Sequence, residues 1–146
     1  MQLTLINQIT GENTLLPSWK ITDFLFDHLD QYGDQKQDIA KAIDYAINPS
    51  STGAGLVLVG HLDSEIAAAV VINETGMSGY IPENILVYIA VHKKHRGKGY
   101  GKQIMEQAIK LCKGDIALHV EKDNPARFLY EKIGFKNPYL EMRLQR

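Results

Sequence analysis

Apolar residues recur three or four positions apart in four stretches of the chain, which is the spacing of one face of an α-helix. The first stretch begins at Pro17-Ser18 with Gly33 as its C-terminal cap, and Asn48-Pro49 stops the second. The third follows a glycine-rich segment, and the fourth begins at Asn124-Pro125 and ends at Gly134. The sequence therefore predicts four helices. Their apolar positions are Ile21, Phe24, Leu25, Leu29 and Tyr32; Ile39, Ala42, Ile43, Ala46 and Ile47; Ile104, Met105, Ala108, Ile109 and Cys112; and Ala126, Leu129, Tyr130 and Ile133.

Shorter apolar runs between these stretches predict strands. Leu3 and Leu5 indicate a first strand, and GLVLVG and EIAAAVVIN indicate a hairpin that turns at residues 61–64. The run ILVYIAV, residues 85–91, is apolar on both faces and therefore predicts a central, covered strand. IALHV and the alternating segment Tyr139–Leu144 complete the order β-α-α-β-β-β-α-β-α-β. Such an order predicts an α/β or α+β fold, with a mixed sheet covered by helices.

The length of 146 residues predicts one domain, and 45% hydrophobic with 23% charged residues is ordinary for a globular protein. A single cysteine, Cys112, excludes an internal disulfide framework, so we expect a cytoplasmic protein. The N-terminus lacks the pattern of a signal peptide, and no apolar run approaches the roughly 20 residues of a membrane span. We therefore expect no membrane association.

The net charge of -1 hides an asymmetry between the two halves of the chain. Residues 1–80 contain ten acidic and three basic residues, a net charge of -7, whereas residues 81–146 contain seven acidic and thirteen basic residues, a net charge of +6. The basic half is suited to an anion and the acidic half to a cation. Alternatively, this charge asymmetry arises by chance, because the charged residues of solvent-exposed faces vary in number.

The stretch HKKHRGKGYGK, residues 92–102, places three glycines among cationic and aromatic residues directly before the third predicted helix. The N–H groups of a helix's first turn have no partner inside the helix, and the helix dipole makes that end positive. Glycines let a ligand approach these groups closely, so phosphate or pyrophosphate fits best. Lys102 and Ile104 exclude a dinucleotide-binding G-x-G-x-x-G motif, and Arg96 and Gln103 exclude a Walker A loop.

The hexapeptide RGKGYG, residues 96–101, fits the pattern [Gln/Arg]-x-x-Gly-x-[Gly/Ala] between a strand and a helix. Residues 124–135, NPARFLYEKIGF, are similar to the run N-x-x-A-x-x-x-Y-E-K-x-G-F, with the alanine in a slightly different register. On these motifs the sequence resembles the GNAT family of acetyl-CoA-dependent N-acyltransferases. The resemblance implies a mixed, mostly antiparallel twisted sheet with a splayed parallel strand pair and helices on both faces. It divides the single domain, 1–146, into an acceptor-side half, 1–80, and an acetyl-CoA-binding half, 81–146.

The resemblance also implies roles for particular residues. In that family, main-chain groups equivalent to Ile89-Ala90-Val91 contact the pantetheine arm beside a splayed parallel strand, here Leu118-His119-Val120. The turn Arg96–Lys102 would hold the pyrophosphate through its backbone N–H groups. Asn124 caps its helix, and the family adds a hydrogen bond to the pantetheine. The implied cofactor-binding residues are Ile89, Ala90, Val91, Arg96, Gly97, Lys98, Gly99, Tyr100, Gly101, Lys102, Asn124 and Tyr130.

Tyr130 matches the tyrosine whose hydroxyl faces the cofactor sulfur in that family. The resemblance therefore implies a general acid that protonates the departing thiolate, and a phenol pKa near 10 suits a thiol acceptor. Without the resemblance, a phenol on the inward face of a helix is more often a core residue with one hydrogen bond.

The general base is not evident, because the strand ILVYIAV contains no acidic residue. This is the main departure from the family pattern. Glu83 at the mouth of that strand is the predicted base, since it lies two residues from Ile85 and so on the same face. Glu121, His119 and a chain of water molecules stay open as alternatives.

The function implied by the resemblance is direct transfer of an acetyl group from acetyl-CoA to a primary amine, with acetyl-CoA as co-substrate and no metal. Six aspartates between Asp23 and Asp44 favour a cationic acceptor, either a small molecule or a peptide. A non-catalytic CoA-binding or sensory module is the alternative. Nucleic acid is not an expected partner, because the net charge is slightly negative and the glycine spacing would go unexplained. The edge formed by Tyr139–Leu144 leaves a homodimer open.

Overall fold

The computed structural model describes residues 1–146 and contains five strands and four α-helices. Single 3-10 turns follow the first helix, at Asp30–Tyr32, and the fourth strand, at Lys93–His95. None of the helices combines the length and hydropathy that crossing a membrane requires. The elements are β1 (Gln2–Ile6), α1 (Ser18–His28), α2 (Lys36–Ile47), β2 (Gly55–Leu62), β3 (Glu65–Glu74), β4 (Asn84–Val91), α3 (Tyr100–Leu111), β5 (Ile116–Leu118) and α4 (Ala126–Ile133).

The strands form one sheet in the order β1-β2-β3-β4-β5. The first three pairs are antiparallel, and β4 pairs with β5 in parallel. The β2–β3 hairpin turns at Asp63-Ser64, where Asp63 has a φ of 54°. This left-handed conformation at the turn suits the right-handed twist of the strands that it joins.

The side chains of β4 pack in both hydrophobic cores, and a bulge changes which core its residues face. Opposite β3, Leu86 pairs with Ile72 but Tyr88 pairs with Val71, so that Val87 is an additional residue on β4. Leu86 consequently packs in one hydrophobic core, whereas Tyr88, two residues later, packs in the other. Helices therefore cover β4 on both sides.

Two hydrophobic cores lie on opposite faces of the sheet. The first, between the sheet and helices α1 and α2, includes the fully buried Ile21, Leu25, Ile39 and Ile43. The second, between the sheet and helices α3 and α4, includes Ile104, Met105, Ala108 and Tyr130. The predicted fold class, a mostly antiparallel mixed sheet with helices on both faces, is confirmed.

Three local predictions were wrong. The segment Tyr139–Leu144 forms no strand, because a strand needs a neighbouring backbone and residues 136–146 form no backbone hydrogen bond. β5 ends at Leu118, so that His119 and Val120 lie beyond it. Helix α1 ends at His28 rather than at a Gly33 cap, because the chain reverses at Asp30, which has a φ of 56°.

Candidate active site

The glycine-rich segment forms a turn between β4 and α3, which we call the glycine turn (residues 96–102). Gly97 and Gly99 have φ angles of 80° and 83°, in the left-handed region that favours glycine, and Gly99 is the N-cap of α3. A Cβ atom built at either position meets no protein atom within 4 Å. The space over both glycines is therefore open to a ligand.

The backbone N–H groups of residues 97–102 donate to no acceptor within the chain. The first N–H group of this region with a partner is that of Gln103, which donates to the Gly99 carbonyl. Successive N–H groups in a left-handed turn at a helix N-terminus form a concave surface that favours anions. Lys98 and Lys102 are exposed beside them, so the turn has both the hydrogen-bond donors and the charge that a diphosphate requires.

Two neutral histidines accept hydrogen bonds from the backbone of the segment that precedes the glycine turn. His28 on α1 accepts a hydrogen bond from the backbone N–H of Lys93 through Nδ1, at 3.2 Å. His92 accepts from the N–H of Lys94, also at 3.2 Å, and the two imidazole rings lie 4.1 Å apart. Burial lowers the pKa of both histidines, and the neighbouring His92 lowers that of His28 further. Neutral imidazole is the form that can accept these bonds.

The side chain of Arg96 donates hydrogen bonds to three segments of the chain. Its Nε donates to the Val91 carbonyl at 3.1 Å, and its two terminal nitrogens donate to the His28 carbonyl at 2.8 Å and to the Asp30 carboxylate at 3.1 Å. Asp30 also pairs with Lys93 at 3.2 Å, and these cations, Lys93 first, lower the pKa of Asp30. The guanidinium thus joins the end of β4 to the end of α1, in addition to lying in the predicted phosphate site.

The strands β4 and β5 pair over only three residues each. They pair from Asn84 opposite Ile116 to Leu86 opposite Leu118, and β5 then ends while β4 continues to Val91. The side of residues 87–91 that points away from β3 therefore has no strand partner. This is the segment, Ile89-Ala90-Val91, in which the sequence predicted main-chain contacts to the cofactor arm.

Tyr130 lies on α4 in the second core and is 7% exposed. Its ring packs edge-on against Phe135 at 6.0 Å, but its hydroxyl forms no hydrogen bond within the chain. Burial raises the pKa of this phenol to about 12. Helix α4 also contacts the glycine turn, because a Cβ atom at Gly101 would lie 3.3 Å from Leu129. The predicted acid is thus carried by a helix that packs on the predicted phosphate site.

Asn124 caps helix α4, as the sequence predicted. Its Oδ1 accepts a hydrogen bond from the N–H of Ala126 at 2.9 Å. Its Nδ2 has no partner within the chain and can donate to a ligand. The two roles predicted for Asn124 are therefore compatible.

Glu83 has a structural partner at the end of β4 that is remote from the glycine turn. Its carboxylate accepts the backbone N–H of Asp115 at 3.1 Å, and this bond lowers the pKa of Glu83, which makes it a weaker base. Seven residue steps of extended strand, about 23 Å, lead from Asn84 to Val91. The alternative bases His119 and Glu121 are both exposed outside the strands.

An acidic groove next to β4 is a feature that sequence reasoning did not identify. Its volume is about 700 Å³. The hydroxyl of Tyr88, a 7% exposed residue of β4, donates to the carboxylate of Asp34 in this groove at 2.5 Å. In the sequence, only the run of aspartates indicated this groove. Tyr88 and Asp34 are 54 positions apart, so no local pattern predicts their contact. The lining residues are Phe26, Asp30, Gly33, Asp34, Gln35 and Asp38.

The chain matches the model of the acetyltransferase (GNAT) domain over residues 53–137. A curated relative, the cysteine-rich protein 2-binding protein of Mus musculus, is 38% identical over 55 residues, which is 37% of this chain. This chain covers only 7% of the length of that relative.

Solved structures share the whole fold at low sequence identity. A ribosomal-protein-alanine N-acetyltransferase from Brucella melitensis biovar Abortus 2308 is 18% identical with a TM-score of 0.65, covering 100% of both chains. An aminoglycoside acetyltransferase from an uncultured soil metagenomic sample is 16% identical with a TM-score of 0.67, covering 100% of this chain and 99% of its own.

Proposed function

This chain belongs to the GNAT acetyltransferase family, and on that premise we propose that it transfers an acetyl group from acetyl-CoA to a primary amine in a ternary complex. The observation that carries the proposal is the row of unpaired N–H groups at residues 97–102, at the start of a helix onto which the helix of Tyr130 packs. A diphosphate is the anion best suited to such a row.

The cofactor would be held by three parts of the chain. The glycine turn binds the diphosphate, with Lys98 and Lys102 adding charge. The edge of Ile89–Val91 that faces away from β3 and the free Nδ2 of Asn124 bind the amide-containing arm. Acetyl-CoA supplies the activated thioester, and the chain supplies its orientation and the proton transfers.

Tyr130 is proposed as the general acid. Its hydroxyl has no partner in the chain, although most of the side chain is buried. The phenol holds its proton at neutral pH, but its raised pKa makes it a weaker acid than an exposed phenol. A proton delivered from Tyr130 to the sulfur lets the thiol leave in neutral form.

We propose a cationic amine as acceptor, because Asp34 and Asp38 line the groove without forming an ion pair. The names of the two solved neighbours, one for a ribosomal-protein alanine and one for aminoglycosides, do not agree on an acceptor. The cytoplasm is the proposed compartment, from the single cysteine. The homodimer stays a prediction, and its expected edge strand at Tyr139–Leu144 is not formed.

The test combines acetyl-CoA binding by calorimetry with thiol release across a panel of polyamines, aminoglycosides, lysine and peptide N-termini. We expect binding, and transfer to a cationic member of the panel. In Tyr130→Phe, kcat should fall roughly 10²- to 10⁴-fold while the acetyl-CoA affinity stays constant. Tyr139→Phe, which removes an exposed hydroxyl, is the control. Binding without transfer to any amine would favour the non-catalytic CoA-binding module, and no binding at millimolar acetyl-CoA would exclude both functions.

A further inference from the structure

We propose that Tyr88 and Asp34 form the proton-accepting pair of the reaction, in which Tyr88 passes a proton from the attacking amine to the Asp34 carboxylate. The inference rests on the proposed function, because it concerns the same acetyl transfer. It supplies the base that the sequence of β4 lacks.

The contact between the two side chains carries the proposal. The Tyr88 hydroxyl donates to Oδ2 of Asp34 at 2.5 Å, a length within the range of hydroxyl bonds to a charged oxygen. Tyr88 is 7% exposed and its ring packs in the first core, and its hydroxyl contacts Asp34, which lines the groove. Because of the bulge at Val87, the ring faces helices α1 and α2 rather than α3 and α4.

The position of Tyr88 along β4 agrees with a role in the reaction. Pairing with β5 ends at Leu86, and Ile89 begins the main-chain segment proposed to bind the cofactor arm. Tyr88 thus lies where the two strands separate, with the acidic groove on its outer side. In the proposed relay, an amine bound beside Asp34 reaches the strand gap next to the Tyr88 hydroxyl.

The charged groups around the pair leave the Asp34 carboxylate without a cationic partner. The titratable groups that share its surroundings are Asp30 from the 3-10 turn, Asp38 from α2 and Tyr88 from β4. Asp34 forms no ion pair. The cations of the neighbouring segments pair with other acids: Lys36 with Asp23, and Lys93 and Arg96 with Asp30.

The proposed relay removes one proton from the nitrogen, and Tyr130 delivers one to the sulfur. The amine attacks in its neutral form, after its ammonium proton has passed to water. When its nitrogen bonds to the thioester carbon, the nitrogen gains positive charge and its N–H becomes a stronger acid. The Tyr88 oxygen accepts this proton while its own proton moves to Asp34, so the phenol is neutral before and after. The carbon–sulfur bond then breaks, with the Tyr130 proton passing to sulfur. Water afterwards removes the proton from Asp34 and returns one to Tyr130.

Two substitutions test the roles of Asp34 and Tyr88 separately. Asp34→Asn keeps an oxygen that can accept the Tyr88 hydrogen bond but no longer takes up a proton, and Tyr88→Phe removes the relaying oxygen from a ring that stays packed. Both should lower kcat roughly 10²- to 10⁴-fold and abolish the acid limb of the pH–kcat profile, with the KM for acetyl-CoA unchanged. Asp38→Asn removes the same charge from the same groove. It should raise the KM for a cationic amine and keep the acid limb.

The outcomes distinguish the relay from the proposed function. An active unaltered chain, together with both variants retaining kcat and the acid limb, would overturn the relay alone. An unaltered chain that binds acetyl-CoA but acetylates no amine would overturn the relay and the transferase function together. Circular dichroism and melting temperature check that the variants fold, and if Tyr88→Phe does not, the profile of Asp34→Asn decides.

Discussion

The guanidinium of Arg96 lies 3.1 Å from the carboxylate of Asp30, and its other terminal nitrogen donates to the carbonyl of His28, the last residue of α1. These bonds link the glycine turn to the helices of the acidic groove. A cation at the C-terminal end of a helix also interacts favourably with the helix dipole. The predicted cofactor side and acceptor side of the chain therefore share a rigid connection.

Arg96→Lys should destabilise the chain by about 1 kcal/mol, because one ammonium cannot donate to three separate acceptors. Urea unfolding measures the change. In a double-mutant cycle with Asp30→Asn, we expect a coupling free energy above about 0.5 kcal/mol. Additive effects of the two substitutions would show that the contact contributes nothing to stability. A variant that loses acetyl-CoA affinity with unchanged stability would assign Arg96 to the phosphates alone.

Gly99→Ala should weaken acetyl-CoA binding by about tenfold or more, the loss expected from one hydrogen bond to a charged group. The alanine methyl group would project into the open space over the turn. Gly11→Ala is a matched control, since Gly11 has a φ of 67° and equally open surroundings but lies after β1. Both variants should lose about 1 kcal/mol of stability from the left-handed backbone. Equal acetyl-CoA affinities of the two variants, measured by calorimetry, would contradict a diphosphate site at Gly99.

Asn84→Leu should cost about 2 kcal/mol or more. Asn84 is 2% exposed, and its Nδ2 donates to the carbonyls of Lys113 and Asp115, which hold the start of β5 beside β4. The substitution leaves those carbonyls without this donor. In contrast, Oδ1 of Asn73 is buried without a partner, so Asn73→Val should be neutral or stabilising. Thermal unfolding of both variants checks the contrast, and a larger loss in Asn73→Val would refute it.

Stability should fall as the pH rises from 10 to 12, partly because of Tyr130. Its pKa is about 12 in the folded chain and near 10 when unfolded, so the folded state holds the proton more tightly over this interval. The contribution of Tyr130 is fully present below pH 10, and about 2 to 3 kcal/mol of it is lost by pH 12. Urea unfolding of Tyr130→Phe should give a correspondingly shallower decline. Tyr88 acts in the same direction, so only the difference between the two proteins is diagnostic.

Most of the proposed cofactor half of the site could be predicted from residues within short segments of the sequence. The glycine turn, the cap at Asn124 and the helix with Tyr130 each depend on backbone preferences and side chains a few positions apart. Such local preferences are readable from the sequence. The helices on both faces and the order of the first nine elements followed from hydrophobic periodicity for the same reason.

The tertiary structure alone decided which distant residues meet. The bulge at Val87 turns Tyr88 toward the helices, and the early end of α1 brings Asp34 to it, although 54 positions separate the pair. The alternating pattern of Tyr139–Leu144 predicted a strand that did not form. An alternating pattern indicates which side chains share a face, but a strand also requires a neighbouring backbone. Hydrophobic periodicity carries no information about that neighbour.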